Sequence, residues 1–376
     1  MHVYQTIYQN NHWTTPLPQS AKINLVLAFG SPELMLDQKL NNDLSLSFPN
    51  AQIVGCSTSG EIQDDYLYDN SICVTAIEFD HTQVQVVSDS INKSEHCTEL
   101  AQQLVSQLSL DGLKHVFVIS DGHLVNGSEL VDGLQQYLPQ GVMATGGLAG
   151  DGERFQQTTL WHNERIESGL IVLVGLYGEK LSVGFGSLGG WRSFGPKRVV
   201  TKSADNVLYE LDGRPALELY KEFLGEFSAG LPASALLYPL ALQLHGEQEH
   251  VVRTILSIDE QQKSMLFAGN MPEGATCQLM HSSYEDLLDG AQHAADDAMS
   301  SFTGTEPELA ILISCVGRRL VLRQRVEEEL EIIKQGLPGE SAISGFYSYG
   351  EISPIKSIGR CGLHNQTMTV TLLSEK

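Results

Sequence analysis

The chain has 376 residues, 42% of them hydrophobic, with 23 Lys and Arg against 46 Asp and Glu, a formal net charge of -23. That size supports more than one core, so two lobes are expected, and the charge disfavours nucleic acid and anionic membrane surfaces as partners. Apolar runs have only strand length, no basic segment leads into a hydrophobic one at the start, and the six cysteines show no CxxC spacing. A membrane span, a signal peptide and an ordinary zinc site are therefore not expected, and the location expected is cytoplasmic with reduced core thiols.

Residues 23–29 read as a buried strand, and Pro32 suits the first turn of a helix over about 32–45. A second strand at 51–54 feeds the loop Gly55-Cys56-Ser57-Thr58-Ser59-Gly60-Glu61-Ile62, and 72–79 closes the unit. The order returns as strand 114–120, helix 128–138, strand 142–144, loop 147–152 and strand 169–176. It returns again as strand 309–314, one long helix over 320–334, strand 342–344, loop 345–352 and strand 368–373. In each copy two loop glycines stand five apart, at 55 and 60, 147 and 152, 345 and 350. Three such loops in one context argue for duplicated units.

The glycines suit either tight turns that pack lobe against lobe or loops that offer N–H groups to a polar or anionic ligand in a shared cavity. No Gly-x-Gly-x-x-Gly opens a helix and no Gly-Lys-Ser/Thr follows, so neither a dinucleotide fingerprint nor a P-loop is present. Each closing strand arrives without a crossover helix. The expected class is therefore α/β of the α+β kind, two-lobed and internally duplicated, with mixed or antiparallel sheets. Between copies two and three the pattern is less regular: strands are expected at 181–187, 199–201, 251–258 and 264–267, and helices from Pro215 to 224 and over 284–302. A boundary in this stretch divides the chain into 20–205 and 206–374.

Gly-x-Ser-x-Gly is missing and no Ser-His-acid set stands out, so no catalytic residue is nominated and the chain reads as a non-enzyme. Arg318-Arg319, read at a strand end, suit bidentate binding of a ligand carboxylate or haem propionate, or a salt bridge to one of the many acids. Leu363-His364-Asn365-Gln366-Thr367 concentrates polar side chains before the last strand, to line a cavity or to join the lobes.

Ile53-Val54 with the Gly55–Ile62 loop resembles the FIST N-terminal domain, and Gly189-Gly190-Trp191-Arg192 with Leu211-Asp212-Gly213-Arg214-Pro215-Ala216 resembles its junction to the C-terminal half. Ser314-Cys315-Val316-Gly317-Arg318, the Gly345–Ile352 loop and Leu363-His364-Asn365-Gln366-Thr367 resemble the FIST C-terminal domain. The resemblance implies a sensor that binds a small molecule and regulates a separate signalling protein such as a histidine kinase, since the chain has no room for an output domain. Homo-oligomer formation stays open. One branch of the family implies haem b and nitric-oxide sensing; for others an amino acid or small metabolite is implied. A non-sensory interaction protein or a hydrolase are the remaining alternatives. The ligand candidates are Gly55, Ser57, Gly60, Glu61, Trp191, Arg192, Arg318, Arg319, Gly345, Tyr347, Gly350, Glu351, His364 and Asn365. For haem iron the candidates are His364, His245, His281 and His123, of which at most one would serve.

Overall fold

Continuous aliphatic runs at Leu25–Gly30, Leu113–Ser120 and Leu309–Cys315 form strands that lie in the interior, as hydrophobic continuity rather than alternation requires. The computed structural model describes residues 1–91, 96–243, 250–355 and 360–375. In it each of these first strands leads through helix to a parallel second strand, Gln52–Ser57, Met143–Leu148 or Ala342–Ser348. On its other side each first strand meets an antiparallel closing strand, Ile72–Glu78, Leu170–Tyr177 or Met368–Glu375. Beyond that lies an antiparallel leading strand, His2–Gln9, Gln83–Ser90 or Leu181–Leu188. The mixed α/β class holds, with the unit repeated three times.

No unit is closed in itself. Between its second and closing strands each extends a hairpin that adds to the second strand of a neighbour. The hairpin Glu61–Gln63 with Tyr66–Tyr68 joins Ala342–Ser348 of the third unit. Gly350–Ile355 with Arg360–His364 joins Met143–Leu148 of the second, and Leu160–His162 with Arg165–Glu167 joins Gln52–Ser57 of the first. The exchange runs one way around a ring, so every second strand has its outer edge paired. Inside the ring one apolar cluster draws on all three units through Phe29, Phe117, Ile119, Ile313 and Phe346, with the Phe29 and Phe346 ring centroids 4.7 Å apart. Helices cover the outer faces, among them Gln38–Ser47, the pair Cys97–Gln107 and Gly127–Tyr137, and the pair Tyr284–Ser301 and Val326–Gly336.

The third unit is interrupted. Its leading strand ends at Leu188, and its next element, the Tyr284–Ser301 helix started by a Ser283/Asp286 capping box, follows only after an inserted antiparallel sheet. That sheet, with strands from Arg192–Ala204 to Thr276–His281 and the helix Ala216–Leu224, has its own core around Leu208, Leu217, Tyr220, Met265 and Phe267. Two local expectations change. The single helix over 320–334 is two helices, Val316–Leu322 and Val326–Gly336, broken at Arg323 with φ 54°. Arg318 and Arg319 consequently sit inside a helix rather than at a strand end. Among the described residues no helix is long and apolar enough to cross a membrane.

Candidate functional site

The three glycine loops meet where the units join. The Ser59 amide donates to the Tyr347 carbonyl at 2.8 Å, Tyr349 to Leu148 at 3.1 Å and Gly150 to Ser57 at 3.0 Å, one bond repeated around the ring. Gly55, Gly146 and Gly345 lie opposite Ala28, Val118 and Leu312, and a methyl group on any of them would overlap the facing carbonyl oxygen. The counterpart of Gly55 is thus Gly146, one residue before the Gly147 selected by spacing. Thr58 and Ser348 are equivalent too: their hydroxyls donate at 2.7 Å to Glu61 and Glu351, three residues on. The other carboxylate oxygen is held from the start of the closing strand, by the Ser71 hydroxyl at 2.7 Å or by the Thr367 hydroxyl at 2.9 Å. Unit two has Gly152 at this position, and there Asp121 takes the Gly169 amide at 2.8 Å instead. Ser57, Gly60, Tyr347 and Gly350 are buried in this joint.

Burial pushes both carboxyls up to about 7, against hydroxyl donors that favour the anion. The folded chain keeps protons that the unfolded chain releases near 4.5, so each group lowers stability as pH rises from 4.5 through about 7. Buried His115 and His364, both pushed down to about 4 by desolvation, act oppositely and raise stability as pH climbs from about 4 to 6.5. The two pairs mask each other, so the expected signal is a difference. Glu61→Gln should gain on the wild type by roughly 3 kcal/mol between pH 4.5 and pH 7.5 in urea titrations, and a pH-independent difference would place the carboxyl in its ordinary range.

Arg318 is wholly buried, and its guanidinium is engaged within the protein. Nε and Nη2 donate to Glu329 at 3.1 and 2.7 Å, Nη1 to the Gly189 carbonyl at 2.6 Å and Nη2 to that of Leu287 at 2.8 Å. The remaining Glu329 oxygen accepts the Tyr347 and Ser314 hydroxyls at 2.6 and 3.1 Å. This network ties both ends of the insertion to the third unit. Arg319, a quarter exposed, grips Asp69 at 2.9 and 2.6 Å and donates to the Ser59 carbonyl, clipping unit one to unit three. Trp191 donates to the Gln366 carbonyl at 2.8 Å, exposed Arg192 pairs with Asp286, and Asn365 accepts the Thr254 amide at 3.3 Å. His364 Nε2 faces the Ser353 carbonyl at 3.0 Å and so carries the ring hydrogen. His281 is exposed beside Phe194, His123 is exposed elsewhere, and His245 lies outside the described residues. Among the described residues no three metal-ligating side chains cluster.

A cleft of about 120 Å³ opens between the body and the inserted sheet. Its body side is formed by Gly122, His123, Val125, Asn126, Leu148, Phe155 and Tyr349; Asn206, Leu256, Ser257, Leu266, Phe267 and Ala268 face them from the insertion. Phe155 and Tyr349 stack with centroids 4.6 Å apart and planes 15° apart, and the Tyr349 hydroxyl donates to Asp151. Asp151 in turn accepts the amides of Phe155, Gln156 and Gln157 at 2.9, 3.0 and 3.0 Å, which holds the aromatic pair in place. Asn126 caps the Gly127–Tyr137 helix, and its Nδ2 donates to Asn270 of the insertion at 2.9 Å. Of the described residues singled out from the sequence as ligands, only His123 lines this cleft. The Asn126-Gly127-Ser128-Glu129 cap was readable as a helix start; the Phe155–Tyr349 stack joins residues 194 apart and leaves no local signal.

Residues 24–214 match the FIST N domain and residues 216–354 the FIST C domain. The chain belongs to the FIST family. FIST domains serve signal transduction as sensors of small ligands. The junction of the two FIST matches falls inside the inserted sheet, at Pro215, where the Ala216–Leu224 helix begins. An uncharacterized protein of Mycobacterium bovis is 27% identical over 243 residues, covering 62% of this chain and 60% of its own. One from Mycobacterium tuberculosis is 25% identical over 262 residues, covering 68% and 67%, and one from Methanocaldococcus jannaschii 22% over 313 residues, covering 76% and 59%. The chain thus spans about 60% of the length of the first of these curated relatives. A solved cyanuric acid hydrolase from A. caulinodans is 10% identical, with 78% of this chain and 99% of that one covered, at a TM-score of 0.19.

Haem fits these FIST residues poorly. At about 120 Å³ the cleft beside His123 falls well short of the roughly 300–1,000 Å³ of sites for drug-sized ligands and cofactors, and His364 is already engaged by Ser353.

Proposed function

We propose that this FIST protein is a non-catalytic sensor of a small polar metabolite, of amino-acid size, bound in the cleft between the ring of three units and the inserted sheet. The observation that carries the reading is the cleft itself. Its walls belong to two separately cored parts of the chain, so an occupant that touches Asn126 and Tyr349 on one side and Asn206 and Ser257 on the other changes how the two parts sit together. An aromatic floor with a few convergent polar groups is the usual make-up of a small-molecule site. The signal then passes to a separate signalling protein, such as a histidine kinase, that reads the placement of the insertion.

The test is a thermal-shift screen of amino acids and small metabolites on the wild type and on Ser257→Trp, which fills the cleft from an exposed position. A true ligand at about one hundred times its Kd should stabilise the wild type by roughly 2.7 kcal/mol and leave the filled variant unchanged. A ligand whose effect survives in Ser257→Trp, chemical turnover of the ligand, or a saturable Soret band at one haem per chain would each overturn the reading.

A further inference from the structure

Beside Gly269, the residue after cleft-lining Ala268, lies a cation with no ion-pair partner among the described residues. Arg253 is 8% exposed, and its described hydrogen bonds all go to neutral carbonyls: Nε to Asn270 at 3.3 Å, and Nη1 to Val252 and to Leu363 at 3.2 Å each. None of the described carboxylates lies within ion-pairing distance of it. Its strand Val251–Arg253 pairs with Leu240–Gln243, and Arg253 stands opposite Leu240 at the base of that hairpin. Desolvation lowers the guanidinium to about 10, so it remains charged at neutral pH. With no carboxylate paired to it among the described residues, this buried cation costs several kcal/mol, and three carbonyl acceptors offset only part of this. The chain elsewhere pairs its buried arginine conventionally, as Arg318 with Glu329 at 2.7 Å.

The position of the guanidinium is set by Gly269, the residue after cleft-lining Ala268. A methyl group on Gly269 would stand 2.9 Å from Arg253 Nε and 2.7 Å from the Ser128 hydroxyl, so only glycine lets both approach the wall here. Ser128 belongs to the first turn of the Gly127–Tyr137 helix, whose cap Asn126 lines the cleft, and its hydroxyl accepts the Asn270 amide at 3.1 Å. The positive end of that helix adds to the field. The Asp121 and Asp151 carboxylates nearby already have donors of the chain as partners. Asp121 accepts the amides of His123, Leu124 and Gly169 at 2.8, 2.7 and 2.8 Å, and Asp151 accepts three amides and the Tyr349 hydroxyl. Asp132, on the exposed side of the same helix, feels Arg253 without pairing with it.

We infer that Arg253 makes the cleft selective for ligands that carry an anionic group, a carboxylate or a phosphate. This rests on the cleft being the ligand site and adds the charge class of what enters it. In a chain of net charge -23 such a buried positive spot also sets the cleft apart from its acidic surroundings.

The experiment uses inorganic phosphate, propionate, propionamide and propylammonium as probes at matched ionic strength, with Tm as the readout. The proteins are the full chain, Arg253→Met, Ser128→Asp and Ser257→Trp. Met keeps the side-chain volume while removing the charge; an Asp at 128 favours the helix start and places a carboxylate beside the guanidinium, so it tests the charge in a chain that folds. In the wild type propionate and phosphate should stabilise saturably, with propionate at least about tenfold tighter than propionamide, and propylammonium should have no effect. That preference should vanish in Arg253→Met and in Ser128→Asp. Equal affinity for propionate and propionamide in the wild type, or an anion preference that survives either substitution, overturns the inference. Anion binding that persists in Ser257→Trp also overturns it, because the anion would then sit outside the cleft. If instead screened metabolites bind the wild type and not Ser257→Trp while charge makes no difference, the cleft reading stands and this inference alone fails.

Discussion

Gly146→Ala should yield no stably folded protein, whereas Gly152→Ala, six residues on, should cost only about 1–2 kcal/mol. The contrast follows from what each added methyl meets. At 146 it runs into the carbonyl of Val118, a rigid backbone atom of the strand paired alongside, which cannot move without breaking the parallel ladder. At 152 it meets open space, and the cost is that of holding alanine at φ +77°. Gly147→Ala falls between, because its methyl would stand 2.7 Å from the Ile313 side chain and 3.1 Å from the Gly350 carbonyl oxygen, both farther than the 1.9 Å from the Val118 oxygen at 146. Soluble yield and urea unfolding of the three variants order them. If Gly147→Ala proves more damaging than Gly146→Ala, the threefold equivalence of Gly55, Gly146 and Gly345 is wrong.

Arg318→Ala should lose about 3–5 kcal/mol, and Arg319→Ala less than about 1 kcal/mol, although the two residues are adjacent and of one kind. Truncating Arg318 leaves the fully buried Glu329 without its cation and served only by the Tyr347 and Ser314 hydroxyls, and it frees the Gly189 and Leu287 carbonyls at the two ends of the insertion. Arg319 faces Asp69, which is about half exposed, so water replaces much of what is lost. Urea midpoints of the two variants at one pH settle the comparison. Equal losses would mean that the Arg318 network is not what anchors the insertion.

These arginines show where reading the residues alone reaches its limit. Two guanidiniums after a strand suggest carboxylate recognition, and carboxylates are indeed what they bind, but the partners are Glu329 and Asp69 of the same chain. The choice between a ligand and an internal acid depends on which surface folds against the helix, and that information sits 250 residues away in the case of Asp69. The glycine loops behave similarly. Their spacing identified them as a repeat, while their role as a joint of reciprocal backbone bonds appears only when the three units face one another. The leading strands His2–Gln9 and Gln83–Ser90 leave no such local signal, because they are partly exposed and carry no continuous apolar run.

Runs of aliphatic residues, helix starts and glycine spacing are local properties, and they determined the threefold recurrence of strand, helix and strand, the α/β class and the family. Hairpin exchange, the interruption of the third unit and the cleft with Arg253 behind it depend on pairings between residues often more than one hundred positions apart. Many partners satisfy the same strand edge or the same charge locally, and only the closed ring leaves one of them within reach.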